Sequence, residues 1–286
     1  MMANNQVASS LKVGQSLKQI VDILLLNGTL VDCSGLVHGK TGIAVFFFHY
    51  ALHTGNDLFE EYAAELLAVV QSQIHSTTPV DYERGIAGIG VGVDYLIRNG
   101  FLEAEDDLFD DFDQRMYRAV MYDPWIDFSL YDGLTGYGRY WINRWNEQCR
   151  PANEAIEYIL DAIEHRTTGI TLKEQQDIYC FLHDLSKLSK YNSLAKRLIK
   201  KFTDTYSVIS ETGFLRLNKS LIEKPLNIYF GKEYFNLPID RLTEELTVME
   251  IPGTNEDMGL FSGHSGYSLC QLALSNTKQS DWMKLM

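Results

Sequence analysis

The sequence predicts an all-α fold of helical hairpins set in a ring or superhelix, and three observations carry that prediction. Four segments share one frame: His38-Gly-Lys-Thr-Gly-Ile43, Arg84-Gly-Ile-Ala-Gly-Ile89, Asp132-Gly-Leu-Thr-Gly-Tyr137 and Ser262-Gly-His-Ser-Gly-Tyr267. Their first glycines stand at 39, 85, 133 and 263, so two spacings are nearly equal at 46 and 48 residues and the third is 130. Random placement of 21 glycines in 286 positions would give about 1.5 such pairs, and a near-constant period marks a repeat architecture. Amphipathic runs precede the motifs and apolar runs follow them, which is the wet and dry alternation of stacked hairpins.

The elements follow in order. Leu17 to Leu26 is an outer helix with one wet face, stopped by Asn27-Gly28. Ile43 to Leu52 is apolar nearly all round, as a helix buried on every side must be, and it stops at Thr54-Gly55. Asn56-Asp57 caps the second outer helix, Leu58 to Ile74, and Ile89 to Ile97 is the second inner helix, ended by Asn99-Gly100. Leu108 to Met121 is the third outer helix. Seven acids crowd the eleven residues Glu103 to Asp113. They read as a solvated helix start favoured by the helix dipole, or as a docking surface for a basic leader peptide.

The third inner helix follows Asp132 and carries Tyr137, Arg139, Tyr140, Trp141, Arg144 and Trp145. Ala152 to His165, Leu172 to Leu188 and Leu194 to Ser207 give an outer, an inner and another outer helix, with no glycine pair before the inner one. Val208 to Pro252 holds Pro225, Pro238 and Pro252 and reads as irregular connection, with one short hairpin around Ser210 to Leu217. Tyr267 to Leu274 is the last inner helix. No linker rich in Gly, Ser or Pro divides the chain. A single domain over 1–286 is therefore expected, with 1–13 flexible and 208–256 irregular. Glycines would let inner helices approach one another near an axis. Free N–H groups at helix starts would make the mouth favour anionic or carbonyl ligands.

Composition narrows the function. Hydrophobic residues make up 45% and charged ones 22%, an ordinary globular balance, with a net charge of −13. That excess of acid argues against nucleic acid as a partner, because phosphate binding needs a basic footprint. Apolar runs such as Ala44 to Phe48 are too short to span a bilayer, so no membrane role is expected. The start MMANNQVASS lacks the basic and apolar regions of a secretory signal. Cys33, Cys149, Cys180 and Cys270 lie far apart, which suits free thiols in a reducing compartment. Cytoplasm is the expected location. No P-loop, dinucleotide fingerprint, nucleophile elbow or H-E-x-x-H string occurs.

The glycine segments resemble those of the lanthionine synthetase C-like family, the lantibiotic cyclases. Leu36 to Ile43 is similar to the family's first repeat, Phe128 to Tyr140 to an early inner-helix start and Met258 to Tyr267 to the closing repeat. The resemblance covers roughly residues 14 to 145 and 257 to 276. It implies an (α/α) toroid of five to six helical hairpins with glycine-rich turns at the starts of the inner helices, around a central cavity. Family cyclases add cysteine thiols to dehydrated Ser or Thr of a precursor peptide. Two cysteines and a histidine hold a zinc ion that activates the thiol. The strings that carry those ligands, Trp-Cys-Tyr-Gly and Cys-His-Gly, are missing here. A family Asp four residues before the third motif's first glycine is replaced by Ser129, with Asp127 and Asp132 near but out of register.

The resemblance thus implies a role in maturation of a ribosomally made peptide without the usual zinc site. The partner is a precursor peptide or a peptide-modifying enzyme, and no cofactor is expected. The alternative is an active cyclase with an atypical zinc site drawn from His38, His264 and Cys33. Catalytic candidates are His38, Asp132 and His264. Candidates to line the cavity and hold peptide are Glu83, Arg84, Tyr131, Arg139 and Tyr267. The plainer readings are that Glu83 and Asp132 cap helix starts and that Cys270 is core. Arg139, if buried, needs a carboxylate partner. A weaker alternative is a carbohydrate-active α/α toroid using a carboxylate pair from Glu83, Asp127 and Asp132.

Overall fold

A computed structural model describes residues 17–103, 108–124, 127–166, 169–206, 222–235, 249, 257–261, 263–275 and 277–286. Every regular element among them is helical. The helices are α1 (17–27), α2 (Lys40–Thr54), α3 (Asp57–Gln73), α4 (Ile86–Arg98), α5 (Asp110–Met121) and α6 (Leu134–Arg144). They continue with α7 (Arg150–His165), α8 (Leu172–Leu185), α9 (Asn192–Thr205), α10 (Glu223–Phe235) and α11 (His264–Ser275), before a 3-10 segment at Thr277–Leu285. No helix among the described residues is long and apolar enough to cross a membrane.

The chain divides into two compact units. One comprises Met1–His75, Lys219–Tyr229 and Pro238–Met286, and the other Ser76–Asn218 and Phe230–Leu237. In the first unit α2 packs on α3 and on α11, so the first and last glycine segments are neighbours. α2 is buried from Lys40 to His49, as its uniform hydrophobicity requires. α3 is one-faced, burying Ala63, Leu66 and Val70, and Asn56 caps it by accepting the Leu58 amide at 3.2 Å. Gly55, at φ 67°, ends α2 in the left-handed conformation that an L side chain resists.

The second unit has two layers. Inner α4 and α8 both pack on α6, while α5 packs on α4, α7 on α6 and α9 on α8. The outer helices bury single faces, such as Ala155, Ile156, Ile159 and Ile163 on α7. Close helix approach uses glycine here: a Cβ on Gly90 would lie 2.6 Å from the Tyr140 ring, and Gly138 sits against Phe181.

Two expectations are corrected. Inner helices begin immediately after the first glycine of each motif, not after the second, so the second glycine lies inside the first turn. The reason is a brace repeated four times. The first helical amide bonds the carbonyl seven residues back: Lys40 to Cys33 (3.0 Å), Ile86 to Pro79 (2.9 Å), Leu134 to Asp127 (3.0 Å) and His264 to Asp257 (2.8 Å). Hydroxyls at the next position tighten it, with Thr41, Thr135 and Ser265 donating to Ser34 O, Phe128 O and Met258 O. Side chains at the glycines would strike this loop rather than a neighbouring helix. A Cβ on Gly39 would sit 2.5 Å from Cys33 O, and one on Gly42, Gly136 or Gly266 would collide with Leu36 O, Leu130 O or Leu260 O. Those braces also occupy the first N–H group of the four helices that follow a glycine motif, α2, α4, α6 and α11, which takes a donor from each expected anion-binding helix start.

The second correction concerns Val208 to Pro252, read as irregular, where α10 runs from Glu223 to Phe235. Pro225 falls in its first turn, where an amide has no intrahelical partner to lose, and Leu226, Tyr229 and Phe230 supply a buried face. The proposed hairpin around Ser210 to Leu217 lies outside the described residues, as do residues 1–13.

Candidate functional site

The loops before the inner helices carry most of the candidate residues, and they join in pairs. In the first unit Val37 O accepts the amides of Leu260 (2.9 Å) and Phe261 (3.1 Å). In the second unit Tyr131 O accepts those of Tyr82 (2.8 Å) and Glu83 (3.2 Å). Loop 1 (33–39) is thus zipped to loop 4 (257–263), and loop 2 (79–85) to loop 3 (127–133), by one shared pattern.

Three of the four loops also open on a turn. Asp127 Oδ1 accepts the Ser129 amide (2.8 Å) and hydroxyl (2.7 Å), and Asp257 Oδ1 accepts the Gly259 amide (3.0 Å). Cys33 holds the same register in loop 1, where its Sγ accepts the Gly35 amide at 3.4 Å. Asp127, six residues before its glycine, therefore performs a structural task that the out-of-register comparison with Ser129 concealed.

Side chains then differ between the pairs. His38 Nδ1 lies 2.8 Å from Asp257 Oδ2, with its ring edge-on to Phe261. Burial opposes the charge of Asp257, but hydrogen bonds from His38 and Gly259 outweigh it and hold the carboxyl below its ordinary range. His264 is fully buried, and its Nδ1 donates to Asp257 O at 3.0 Å. Since a carbonyl only accepts, the proton is assigned to Nδ1. Tyr267 is buried one turn into α11, at the register of Tyr137 in α6. Burial drives the Cys270 thiol far up and keeps it protonated.

In the second unit Glu83, Arg84, Tyr131 and Asp132 sit together on loops 2 and 3. Arg84 is largely exposed and stands 3.7 Å from Glu83, a surface pair of little energetic weight. Lys173 Nζ lies 5.0 Å over the Tyr131 ring. Neither Glu83 nor Asp132 caps a helix: Gly85 and Gly133 occupy the N-caps, with no side-chain cap. Asp132 is exposed, and its carboxyl is raised by desolvation and by the charges of Glu83, Asp81 and Asp127. Beside it lies a cleft of about 590 Å³ between loop 2 and α5, lined by Asp81, Arg115, Arg118, Asp123, Asp132 and Tyr137 among others.

Arg139 lies deeper. Its guanidinium stands 5.7 Å from the Tyr82 ring centre and its Nη2 3.9 Å from Asp184, which also accepts from Tyr234 (3.0 Å) and Lys187 (3.0 Å). Burial opposes the Asp184 charge, yet His183, Arg139 and Lys187 together hold its carboxyl at about 2. Arg139 thereby has the carboxylate that burial demands. α8, which no glycine pair introduces, braces loop 3 by another means: Glu174 accepts the Phe128 amide (3.1 Å) and Asp177 the Leu130 amide (2.9 Å). Asp81, Tyr137, Glu174, Asp177, Asp184 and Asp257 escaped the sequence reading. Thr171-Leu-Lys-Glu174 spells the capping box that the structure shows, and Asp257 stands six residues before Gly263 as Asp127 does before Gly133. Those two signals were available.

Comparison with known families decides membership. The lanthionine synthetase C-like protein model matches residues 31–196, more than half of the chain. The chain belongs to this family. Its helical hairpins are those of an α/α toroid, and members of the family generally act on peptide substrates. Loop 4 lies beyond the matched span yet repeats the brace of the other three. No curated protein matches the chain.

The family implies zinc. Among the described residues no three His, Cys, Asp or Glu side chains gather as a metal group. His38 is engaged by Asp257, Cys33 Sγ by Gly35, and Cys270 lies buried with its thiol protonated. The described structure therefore does not bring His38, His264 and Cys33 together as a zinc-binding group.

Proposed function

We propose that this lanthionine synthetase C-like protein acts in the cytoplasm in the maturation of a ribosomally made peptide, by holding the peptide rather than by closing thioether rings on zinc. The observation that carries this reading is the use of the candidate donors inside the loop frame. His38 ties loop 1 to loop 4, Cys33 closes a turn, and His264 anchors the start of α11. A ligand residue must present its lone pair to a metal together with two or three others, and these side chains instead serve separate contacts, His38 with the Asp257 carboxylate and Cys33 and His264 with the backbone. The cleft beside loops 2 and 3 supplies what peptide binding needs instead: a concave surface with converging polar groups on a rigid scaffold.

A second reading, an active cyclase with an atypical metal set, draws on one imidazole. His264 Nε2 is buried without a hydrogen-bond partner among the described residues, and the Nδ1–H to carbonyl bond is the orientation that metal-binding histidines use. Metal analysis of protein purified without chelators or a histidine tag separates the two. Less than about a tenth of an equivalent of transition metal is expected for peptide holding. About one equivalent of zinc, lost in His264→Ala but kept in Cys149→Ala, would overturn that reading and establish the cyclase.

A further inference from the structure

We infer that the cleft between loop 2 and α5 seats a cationic side chain, lysine or arginine, of the bound peptide; this rests on the peptide-holding role proposed above. Asp81, Asp123 and Asp132 line the cleft, and Glu83 and Asp127 stand close enough to act on Asp132 electrostatically. Like charges held together by a fold repel, and an incoming cation relieves that repulsion. The lining cations do not cancel the acids. Arg115 donates to Thr78 O and stands 3.7 Å from Asp111, Arg118 also lines the α5 side, and Lys173 offsets only part of the repulsion on Asp132, whose carboxyl stays raised. Asp132 makes no hydrogen bond among the described residues, while Asp81 uses one oxygen for the Arg84 amide (2.7 Å) and keeps the other.

Tyr137 points to a ligand independently of the acids. The residue is 4% exposed, it lines the cleft, and its hydroxyl has no hydrogen-bond partner among the described residues. The ring is buried while the hydroxyl reaches the cleft, so an incoming polar group can pair with it there. Burial and the charges of Asp81, Asp127 and Asp132 push its ionisation up to about 12, so it stays a neutral donor and acceptor. An ammonium or guanidinium between Asp81 and Asp132 would present N–H groups to both carboxylates and to the phenol oxygen, a charge-assisted arrangement.

The test uses an end-blocked, fluorescein-labelled trilysine peptide on the full chain, followed by anisotropy, with trinorleucine and triglutamate analogues as controls. Trilysine is expected to bind and triglutamate not to. Asp81→Asn with Asp132→Asn should weaken trilysine by about tenfold or more, and Tyr137→Phe by about threefold. Glu60→Gln with Glu61→Gln, on the exposed face of α3, removes the same charge and should weaken it by less than about twofold. Equal weakening by both double variants would mean diffuse attraction to an acidic protein and would overturn the inference. Binding of trinorleucine but not trilysine would overturn it while leaving peptide holding intact. Failure of all three peptides to bind would remove both. Urea midpoints that do not fall in the Asn and Phe variants confirm that the fold is not what was lost.

Discussion

The two loop pairs share a backbone and differ in what they do with it. Val37 O and Tyr131 O each accept two amides from the facing loop, and all four loops carry the same seven-residue brace. Over that frame the first unit sets His38 against Asp257, so charge is matched by a hydrogen-bond donor and the pair is closed. The second unit sets Glu83, Asp81 and Asp127 around Asp132 and leaves an open cleft beside them. One scaffold therefore yields a latch and a binding surface. The difference lies in a few side chains and not in the fold.

The strongest way to break the comparison is to break the shared frame. Gly136→Ala and Gly266→Ala place a Cβ against the carbonyl of Leu130 or Leu260, which is backbone and cannot swing aside. Each should cost about 3 kcal/mol or more, at the upper end of overpacking effects. Gly55→Ala, where the penalty is only left-handed backbone with open space around it, should cost about 1 kcal/mol. Urea melts with equal slopes would order the three variants. Similar losses at all three sites would show that the brace does not restrict space as described.

Next in size is the substitute brace on α8. Asp177 is 1% exposed, and Asp177→Ala strands the Leu130 amide in the core, at a cost of about 1–3 kcal/mol. Glu174 adds a pH signature. Burial works against its charge, but hydrogen bonds from Thr171 and Phe128 prevail and lower the carboxyl. A lowered folded value means that its stabilisation is present above the unfolded carboxyl value and is lost as pH falls through the folded one. Glu174→Gln should therefore flatten the acid limb of the stability curve. An unchanged limb would place the brace elsewhere.

Opposite signs sharpen the contrast between latch and cleft. Asp257 is lowered in the folded state, so at pH 7 it stabilises, and Asp257→Asn should cost about 1 kcal/mol, a difference that shrinks in acid. Asp132 is raised, so its ionised form opposes folding at pH 7, and that opposition fades as pH falls through the raised value. Asp132→Asn should therefore stabilise slightly, by up to about 0.5 kcal/mol. Chemical denaturation at pH 7 and below reads both. Destabilisation by Asp132→Asn would mean that its carboxylate is structurally engaged and the cleft is not poised for a cation.

Much of this was legible beforehand, and the failures have physical causes. Outer helices such as α3 and α7 announce themselves because one wet face forces a 3.6-residue pattern, and their ends fell within a few residues of the reading. The inner helices started early because a glycine in extended backbone can serve as N-cap, so the motif belongs half to the loop and half to the helix. Pro225 reads as a breaker in the sequence, although a first-turn proline breaks nothing. His38 was found and Asp257 was not. Periodicity sees neighbours along a helix, whereas this pair joins residues 219 positions apart. Tyr137 was hidden by its company, since a tyrosine among apolar residues looks like core until the cleft beside it is seen.

The smallest effect separates structure from chemistry at Cys33. Its sulfur takes the Gly35 amide where loops 3 and 4 use aspartate oxygens for the same contact. If the register is what matters, Cys33→Asp supplies a stronger acceptor at an unchanged position and should shift stability by no more than about 0.5 kcal/mol. Cys33→Val keeps the bulk and removes the acceptor, so the Gly35 amide loses its partner in a part-buried turn, at about 1 kcal/mol. Thermal melts of the two variants, read beside peptide binding, give the result. Full function in Cys33→Asp fixes the thiol as a turn-former. Loss of function there, with the fold intact, would make it a reactive group, and loop 1 would become a site of chemistry instead of half of a latch.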